Sequence, residues 1–406
     1  MSNAVYSLRN FFYALFLFPL SLHASFIEST MGTAVVNDAT ATYHNPAALT
    51  LLKEPQTIAL GSLATLKTHF SGQSAQSLTG VSQSGDSLNQ THYLLPSAYL
   101  GLPLNAKTFA GLAIIYNAFN NELDGNSILR YSQSTSHVTG IDFVPALGIK
   151  INQFLSIGGG LNFSNANFLL EPTFGIASTN IPDSQSHNMS RGTSWGVDLG
   201  LLLKPTPSTL LGLNYRSANT YHLQGSSVLE GLPPVISNHY HYKFWTPARS
   251  VFSINQVVTP KLGLIATVQH IQWSIIKNVD VYGAAAQIGS RRAILSKATV
   301  PYYLHNSWLV TVGSHYRATP KTVLRVAATY NQSPERENYQ ISSGDSLFLG
   351  GSIGYEWQKN ISIDAGYVHG FFKPANIHIL SETRVIQGIN YASRDAVSLK
   401  LTLRVS

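Results

Sequence analysis

Three short stretches of the chain contain residue types that enzymes or metal sites use. Residues 350–354 read Gly-Gly-Ser-Ile-Gly, matching the G-x-S-x-G pattern that places a serine nucleophile on a strand-to-helix turn. His239 and His241 are separated by one residue, and two imidazoles could bind a transition metal. The run of three glycines at 158–160 could approach a phosphate closely if a helix followed it.

The surroundings of each stretch argue against that chemistry. Alternate residues around Ser352 continue one face of a strand and no helix follows, so the nucleophile turn is missing. The two histidines lack nearby carboxylates, which favours an aromatic-rich loop surface, and no helix follows the glycine run. We therefore predict that the protein is not an enzyme and holds neither a cofactor nor a metal ion.

Composition indicates where much of the surface lies. Only 11% of the 406 residues are charged while 44% are hydrophobic, whereas soluble domains carry about 25% charged residues. No apolar run is long enough for a transmembrane helix, and with no cysteine there can be no disulfide. The net charge of +7 is spread thinly, with Arg291-Arg292 as its densest point, so we exclude nucleic-acid binding. Much of the surface is predicted to face lipid.

The last ten residues show the clearest local pattern. Positions 397, 399, 401, 403 and 405 are Val or Leu, and the positions between them are Ser, Lys, Thr, Arg and Ser. Strict alternation with one charged face suits a barrel wall between lipid and a polar lumen. A half-buried strand of a soluble protein would look the same in isolation.

Repetition of this pattern along the chain decides between those alternatives. We predict about fourteen strands, an even number as in bacterial barrels, at 56–67, 92–100, 108–117, 141–151, 155–163, 194–204, 210–217, 248–258, 261–273, 308–316, 322–331, 346–357, 360–371 and 395–406. Short connections alternate with long ones, and in hydrocarbon the sheet must close to pair its backbone groups. The predicted fold is all-β, an antiparallel transmembrane β-barrel in the bacterial outer membrane, with lipid as its surroundings.

The N-terminal residues differ from the rest. Residues 11–20 form an apolar run too short to span a bilayer, so residues 1–24 are predicted to be a signal peptide. Asn45 followed by Pro46 is a helix-start signal, predicting a short helix at 46–52. Fourteen strands enclose a lumen that inward side chains cannot fill. Residues 25–55 are therefore predicted to form a plug, or hatch, inside a barrel of residues 56–406.

These features resemble the FadL/TodX (OmpP1) family of outer-membrane transporters for long-chain fatty acids and other hydrophobic compounds. The resemblance covers nearly the whole mature chain. The family's hatch motif stands here as Asn45, Pro46 and Ala47. Further resemblances lie at Pro247, Trp273-Ser274, Tyr330 with Ser333-Pro334, and Tyr367 with His369-Gly370.

The resemblance implies passive uptake of a hydrophobic substrate, most often a long-chain fatty acid, past the hatch and sideways into the membrane. It implies an opening in the third strand, where Gly111 is our candidate, although Gly111 could equally be a small lumen-facing residue. A fatty-acid carboxylate would need a basic partner. Lys297 is the first candidate, Arg291 or Arg292 could replace it, and Arg325 is a candidate on the wall.

Other interpretations remain open. Arg325, Lys400 and Arg404 point inward by parity and could simply pair with acids such as Asp364 and Glu356 to hold wall and plug together. A short hatch, a non-aromatic terminal Ser406 and the absence of Lys or Arg at 164–170 depart from the family pattern. A transporter of neutral or aromatic hydrocarbons, a diffusion porin and a surface-binding barrel are the alternatives. Nothing in the sequence requires an oligomer, so a monomer is expected.

Overall fold

A computed structural model describes residues 26–76, 80–122, 124–175, 183–288, 290–380 and 384–405. The predicted signal peptide, residues 1–24, lies outside these ranges. Residues 26–55, which were predicted to form the hatch, contain two helical turns, α1 (Phe26–Ser29) and α2 (Ala41–His44), and two 3₁₀ helices, Thr33–Val35 and Pro46–Leu51. Within the described ranges, every helix is too short or too polar to cross a membrane.

All of the regular structure after the hatch is extended, apart from one 3₁₀ turn at Trp273–Ile275. The strands are β1 (Gln56–Gln76), β2 (Ser82–Pro103), β3 (Thr108–Asn121), β4 (Ser134–Lys150), β5 (Leu155–Phe174), β6 (Ser184–Thr206), β7 (Thr209–Arg216), β8 (Asn219–Leu229), β9 (Val235–Thr246), β10 (Arg249–Val257), β11 (Leu262–Ile271), β12 (Asn278–Tyr282), β13 (Ala284–Ile288), β14 (Arg291–Leu295), β15 (Ala298–Pro301), β16 (Ser307–Thr319), β17 (Thr322–Asn331), β18 (Ser346–Gln358), β19 (Ile361–Phe372), β20 (Ala375–Leu380) and β21 (Arg384–Arg404).

Fourteen of these strands pair antiparallel in a closed ring. Following the pairing around the barrel, the order is β1, β2, β3, β4, β5, β6, β7, β10, β11, β16, β17, β18, β19 and β21. The ring closes where β21 pairs with β1 from Gln56 opposite Arg404 to Gln76 opposite Arg384. The predicted fold class and strand number are confirmed.

The alternation of side chains between lipid and lumen follows the sequence pattern in β21. Val397 and Leu399 are more than half exposed on the outside, whereas Ser398 and Lys400 are buried inside the barrel. Because successive side chains of a strand point to opposite faces, one register fixes the environment of the whole strand.

The connections differ between the two barrel ends, as predicted. At the hatch end, six tight turns join neighbouring wall strands, and at the other end the connections are long. The long connections are less irregular than the sequence suggested. The expected loop at 71–89 is a hairpin extension of β1 and β2, and the expected loops at 221–247 and 274–306 contain β8, β9 and β12 to β15.

These inserted strands cover the outer end of the lumen. The outer part of β6 pairs with β8, β8 pairs with β9, β9 pairs with β12, and β12 pairs with β15, whereas β13 and β14 form a separate two-stranded sheet. Buried side chains beneath it form an apolar cluster that includes Phe168, Leu223, Tyr240 and Phe244. The outer end of the barrel therefore has a hydrophobic core of its own.

Candidate functional site

The hatch motif is held by the side chain of Asn45. Its Oδ1 accepts a hydrogen bond from the backbone N–H of Ala47 at 3.1 Å, so Asn45 caps the helix that Pro46 begins. Its Nδ2 donates to the carbonyl oxygens of Ala34 in the hatch at 2.7 Å and Leu201 in the wall at 3.1 Å. The predicted cap is confirmed, with a 3₁₀ helix, Pro46–Leu51, in place of the expected helix at 46–52. One buried side chain thus joins two hatch segments to β6.

Glycines on the inner face of the wall form the seat of the hatch. A Cβ atom at Gly158 would lie 2.3 Å from the backbone nitrogen of Ala47, and one at Gly200 would lie 2.1 Å from Oδ1 of Asn45. Close approach of two backbones requires glycine at such positions. Further glycines of neighbouring strands meet the hatch in the same way at Gly101, Gly111, Gly148 and Gly212. The hatch therefore lies directly against the wall along β2 to β7.

Buried charges fasten the opposite side of the hatch. Nζ of Lys400, which points inward from β21, lies 2.9 Å from Oδ2 of Asp38 and 3.7 Å from Oε1 of Glu28 in the hatch. Across the lumen, Arg216 forms an ion pair with Asp198 on the wall. A buried ion pair contributes most when further hydrogen bonds satisfy its members.

Arg216 also forms a further hydrogen bond, which links the wall to the hatch. Its Nη2 donates to the backbone oxygen of Tyr43 at 2.7 Å, and its guanidinium lies 3.8 Å from the centroid of the Tyr43 ring. Tyr43 belongs to α2 of the hatch. The wall and the hatch are consequently joined by polar contacts on both sides of the lumen.

An inner cavity of about 780 Å³ lies above Tyr43. Its walls combine apolar rings, among them Phe168 and Phe244, with the guanidinium groups of Arg216 and Arg249. Although the hatch was expected to be short, Tyr43 reaches this cavity and forms part of its lining.

Arg249 differs from Arg216 in having no carboxylate within ion-pair distance in the part of the chain that the structure describes. Within the described ranges its side chain forms no hydrogen bond or ion pair, and its Nε is buried without an acceptor. Its contact with the hatch is through the Tyr43 ring, whose centroid lies 5.2 Å from the guanidinium carbon. Asp142 also lines the cavity and accepts a hydrogen bond from Ser164 at 2.6 Å. Arg249 and Gln269, whose Nε2 is likewise buried without an acceptor, therefore retain donors in this cavity, and Arg249 is the charged one of the two.

A larger outer cavity, of about 1530 Å³, adjoins the inner one at Ile271. Its lining is mostly apolar, with side chains such as Phe119 and Trp273, and it also includes Arg394 and Glu335. Arg394 is buried, with its guanidinium 5.2 Å from the Tyr93 ring centroid, and has no hydrogen-bond or ion-pair partner among the residues that the structure places. Both cavities thus combine apolar walls with one unpaired arginine.

Glu335 lies in the outer loop that joins β17 to β18. Its Oε2 accepts a hydrogen bond from the backbone N–H of Ser343 at 2.9 Å, while its Oε1 is buried without a partner in the described part of the chain. Burial raises the pKa of the Glu335 carboxyl to about 7, because a low-dielectric environment disfavours the charged form. This carboxyl consequently titrates near neutral pH.

The wall is parted beside the outer cavity. β2 pairs with β3 only from Pro103 opposite Phe109 to Ser97 opposite Ile115, although β3 continues to Asn121 and β2 begins at Ser82. The ladder stops at Pro96, which has no N–H to donate. Beyond it, the two strands are joined by a hydrogen bond of 2.5 Å from Nδ2 of Asn89 to Oδ1 of Asn121. Both strands line the outer cavity there.

Three of the residues predicted to bind a ligand lie in the outer layer and away from both cavities. Lys297 is half exposed and forms an ion pair of 2.9 Å with Asp280. Arg291 is exposed at the start of β14. Arg292 donates to the carbonyl oxygen of Pro233 at 2.9 Å. The structure does not bring these residues together around one space, and their role in binding stays a prediction.

Arg325 and Gly111 lie near the hatch. Nη1 of Arg325 donates to Oδ1 of Asp364 at 2.7 Å, the pairing that the alternative interpretation expected. A Cβ at Gly111 would lie 2.2 Å from Oγ1 of Thr42 in the hatch. Gly111 is in β3, the strand with the parted edge, but four residues before the last β2–β3 pair at Ile115. Whether it shapes an opening stays a prediction.

The three stretches whose residue types suggested catalysis, metal binding or phosphate binding lie in strands or against the hatch. Ser352 lies within β18, and its hydroxyl oxygen is 3.3 Å from that of Thr30 in the hatch. Nδ1 of His241 donates a hydrogen bond to the backbone carbonyl oxygen of His239 at 2.8 Å, and the His241 ring stacks on the Tyr282 ring with 5.0 Å between the centroids. Gly158 seats the hatch. In the described ranges, no group of three or more metal-binding side chains occurs.

Arg249 and Arg394 were missed in the sequence because their distinguishing feature is the absence of a partner. The local sequence gives no sign of which arginine finds a carboxylate across the lumen. The buried aromatics of β9, Tyr240, Tyr242 and Phe244, did carry a signal, since they alternate with polar residues in a segment that was interpreted as loop surface.

Comparison with known proteins agrees with this architecture. Residues 29–404 match the family described as outer membrane protein transport protein (OMPP1/FadL/TodX). A 47 kDa outer membrane protein of Pasteurella multocida is 22% identical over 370 residues, covering 83% of this chain and 82% of that protein.

Solved structures are similar over most of their length. A Pseudomonas aeruginosa FadL homologue has a TM-score of 0.80 and 18% identity, with coverage of 92% of this chain and 95% of that one. The Pseudomonas putida toluene transporter TodX has a TM-score of 0.70 and 14% identity, with coverage of 99% and 100%. At these identities the likeness shows the fold.

Proposed function

The chain belongs to the OMPP1/FadL/TodX family of outer membrane transport proteins, and from that premise we propose that it admits long-chain fatty acids through the outer membrane. The observation that carries this proposal is the guanidinium of Arg249, which has no hydrogen-bond or ion-pair partner among the described residues and lines the inner cavity together with the rings of Phe168 and Phe244. The family transports hydrophobic compounds, and the finer assignment to an amphipathic anion rests on this residue.

The chemistry of the two cavities supports that ligand. An alkyl chain gains about 0.8 kcal/mol for each CH₂ group removed from water, which suits the apolar lining around Phe119 and Phe168. A buried guanidinium without a partner is costly, and a carboxylate offers it charge-assisted hydrogen bonds. Arg394 would serve the outer cavity and Arg249 the inner one, so the ligand would meet two successive sites.

The parted stretch between β2 and β3 supports a lateral exit. Here β2 and β3 are not paired with each other from Pro96 outward, and Leu94 is more than half exposed on the outer surface. A ligand leaving there would keep its alkyl chain out of water. We assign the exit to β2 and β3, with the Asn89–Asn121 hydrogen bond as the contact that must yield.

The ligand assignment is tested with Arg249→Met, which keeps the volume but removes the charge. We expect binding of oleate to purified protein to weaken by about 2 kcal/mol, or about thirtyfold, whereas Arg249→Lys keeps most of the affinity. Toluene binding serves as the neutral reference and should be equal in all three proteins. Unchanged oleate binding in Arg249→Met would refute the anionic-ligand assignment.

A separate experiment tests the exit. The chain has no cysteine, so Asn89→Cys with Asn121→Cys introduces one disulfide across the gap. Uptake of labelled oleate, in cells lacking the native gene, should stop under oxidising conditions and return on reduction. The control pair Ser97→Cys with Ile115→Cys lies within the intact ladder and should transport normally. Equal uptake by the oxidised gap variant would exclude this exit.

The aromatic-hydrocarbon alternative is favoured by the likeness to the toluene transporter TodX and by the lack of Lys or Arg at 164–170. It predicts tight toluene binding with no dependence on Arg249. The same binding series therefore separates the two candidates.

A further inference from the structure

Lysines are distributed around the hatch end of the barrel. Each of the six tight turns there has one lysine within three residues of it. They are Lys107, Lys150, Lys204, Lys261, Lys321 and Lys359. All six side chains are exposed, and in the part of the chain that the structure describes none of them forms an ion pair. We call this set the lysine rim.

Carboxylates are nearly absent from the same turns. Within three residues of the six turns the sole acidic residue is Glu356, which lines a lumen cavity together with Arg325 and Asp364. Acidic residues of the long outer connections include Asp124, Asp183, Glu230, Asp280 and Asp345. Solubility of a turn requires polarity but not one sign of charge, so the rim is a feature that ordinary turn chemistry leaves unexplained.

The lysine rim directly borders the lipid-facing surface. Outward-facing apolar and aromatic side chains in or beside the turns are more than half exposed: Leu104, Phe154, Val258 and Trp357. Aromatic side chains at this level are typical of the membrane interface. Lysine can lay its alkyl stem along such a surface while its ammonium group stays in the headgroup layer.

We propose that the lysine rim binds the phosphate groups of anionic phospholipids in the periplasmic leaflet of the outer membrane. Short turns identify this end as periplasmic, and basic residues near an anionic lipid surface are attracted to it. A leaflet surrounds the barrel, and the lysines occur at every tight turn around it, with a gap at the seam between β21 and β1, where Arg404 pairs with Glu54. A single globular partner would contact one sector only and would not require a lysine on every turn.

The test uses the full-length protein, delipidated in detergent and titrated with phosphatidylglycerol or phosphatidylcholine of identical acyl chains, with bound lipids counted by native mass spectrometry. We expect the native protein to bind phosphatidylglycerol about tenfold more tightly. Replacing all six rim lysines with glutamine should reduce that preference to less than twofold. Replacing all six with arginine keeps the charge and should keep the preference.

A set of four outer lysines tests whether loss of positive charge elsewhere on the barrel has the same effect. Lys67→Gln, Lys243→Gln, Lys277→Gln and Lys373→Gln together change exposed residues at the opposite end and should leave the preference intact. Heat-shifted electrophoretic mobility verifies that each barrel is folded. A native protein without preference, or a glutamine variant that retains it, would overturn the proposal.

Discussion

Replacing Asn45 with alanine tests how the hatch is held. The variant loses the donated bonds to Ala34 and Leu201 and the accepted bond from Ala47. A buried hydrogen bond contributes about 1 kcal/mol, and stranded buried partners add to the loss, so three bonds amount to about 3 kcal/mol. An N-cap replacement alone costs about 0.5–2 kcal/mol, which is consistent with this sum. The hatch should therefore loosen while the barrel, which does not depend on Asn45, stays closed.

Hydrogen exchange measured by mass spectrometry reports that loosening directly. A loss of about 3 kcal/mol corresponds to exchange about 150-fold faster in peptides covering residues 33–52, at about 1.36 kcal/mol per factor of ten. Peptides from β16 and β17, which lie away from Asn45, provide the internal control. Asn45→Ser keeps a neutral N-cap oxygen that can accept from Ala47 and loses both donated bonds, so its effect should be intermediate. Equal exchange in the hatch of Asn45→Ala and native protein would refute the role assigned to Asn45.

Two further predictions concern charged groups. Lys400→Met leaves Asp38 buried without its cation, which typically costs about 3–5 kcal/mol. The midpoint of thermal unfolding should therefore fall in Lys400→Met and recover in Lys400→Arg. An unchanged midpoint in Lys400→Met would contradict the role assigned to Lys400. The folded-state pKa of Glu335, about 7, lies above its ordinary value, so its contribution to stability is fully present below about pH 4.5 and is lost as the pH rises through 7. Glu335→Gln should remove that pH dependence from local exchange of the 332–345 loop, and a retained dependence would exclude Glu335 as its source.

The barrel was predictable because its determinants are local and repeated. Alternation such as that from Val397 to Val405 predicts which face of a strand contacts lipid. Tight turns such as Thr259-Pro260 mark where one strand ends and the next begins. Asn45 and Pro46 likewise specify a helix start by their own chemistry. Periodicity and capping act over a few residues, so a single sequence contains them.

The sites depend on contacts between distant residues and were less accessible. Nothing near Arg249 in the sequence indicates that Arg216 has a carboxylate partner in Asp198 and that Arg249 has none. The gap between β2 and β3 depends on where their pairing stops. Pro96 marks that point only when it is known that β3 is the strand next to β2 on that side. The lysine rim, in contrast, was visible in the turns themselves, although its arrangement as a ring required the barrel topology.

The central claim is that the hatch closes a barrel that would otherwise conduct ions. Deletion of residues 39–52 removes Asn45 and Tyr43 together with the backbone seated on the wall glycines. Single-channel recording of the native protein and of this deletion, each with verified heat-shifted mobility, compares the closed and opened lumen in one assay. We predict no steady current from the native protein and large, stable openings from the deletion. A conducting native protein, or a folded deletion that stays silent, would contradict the account.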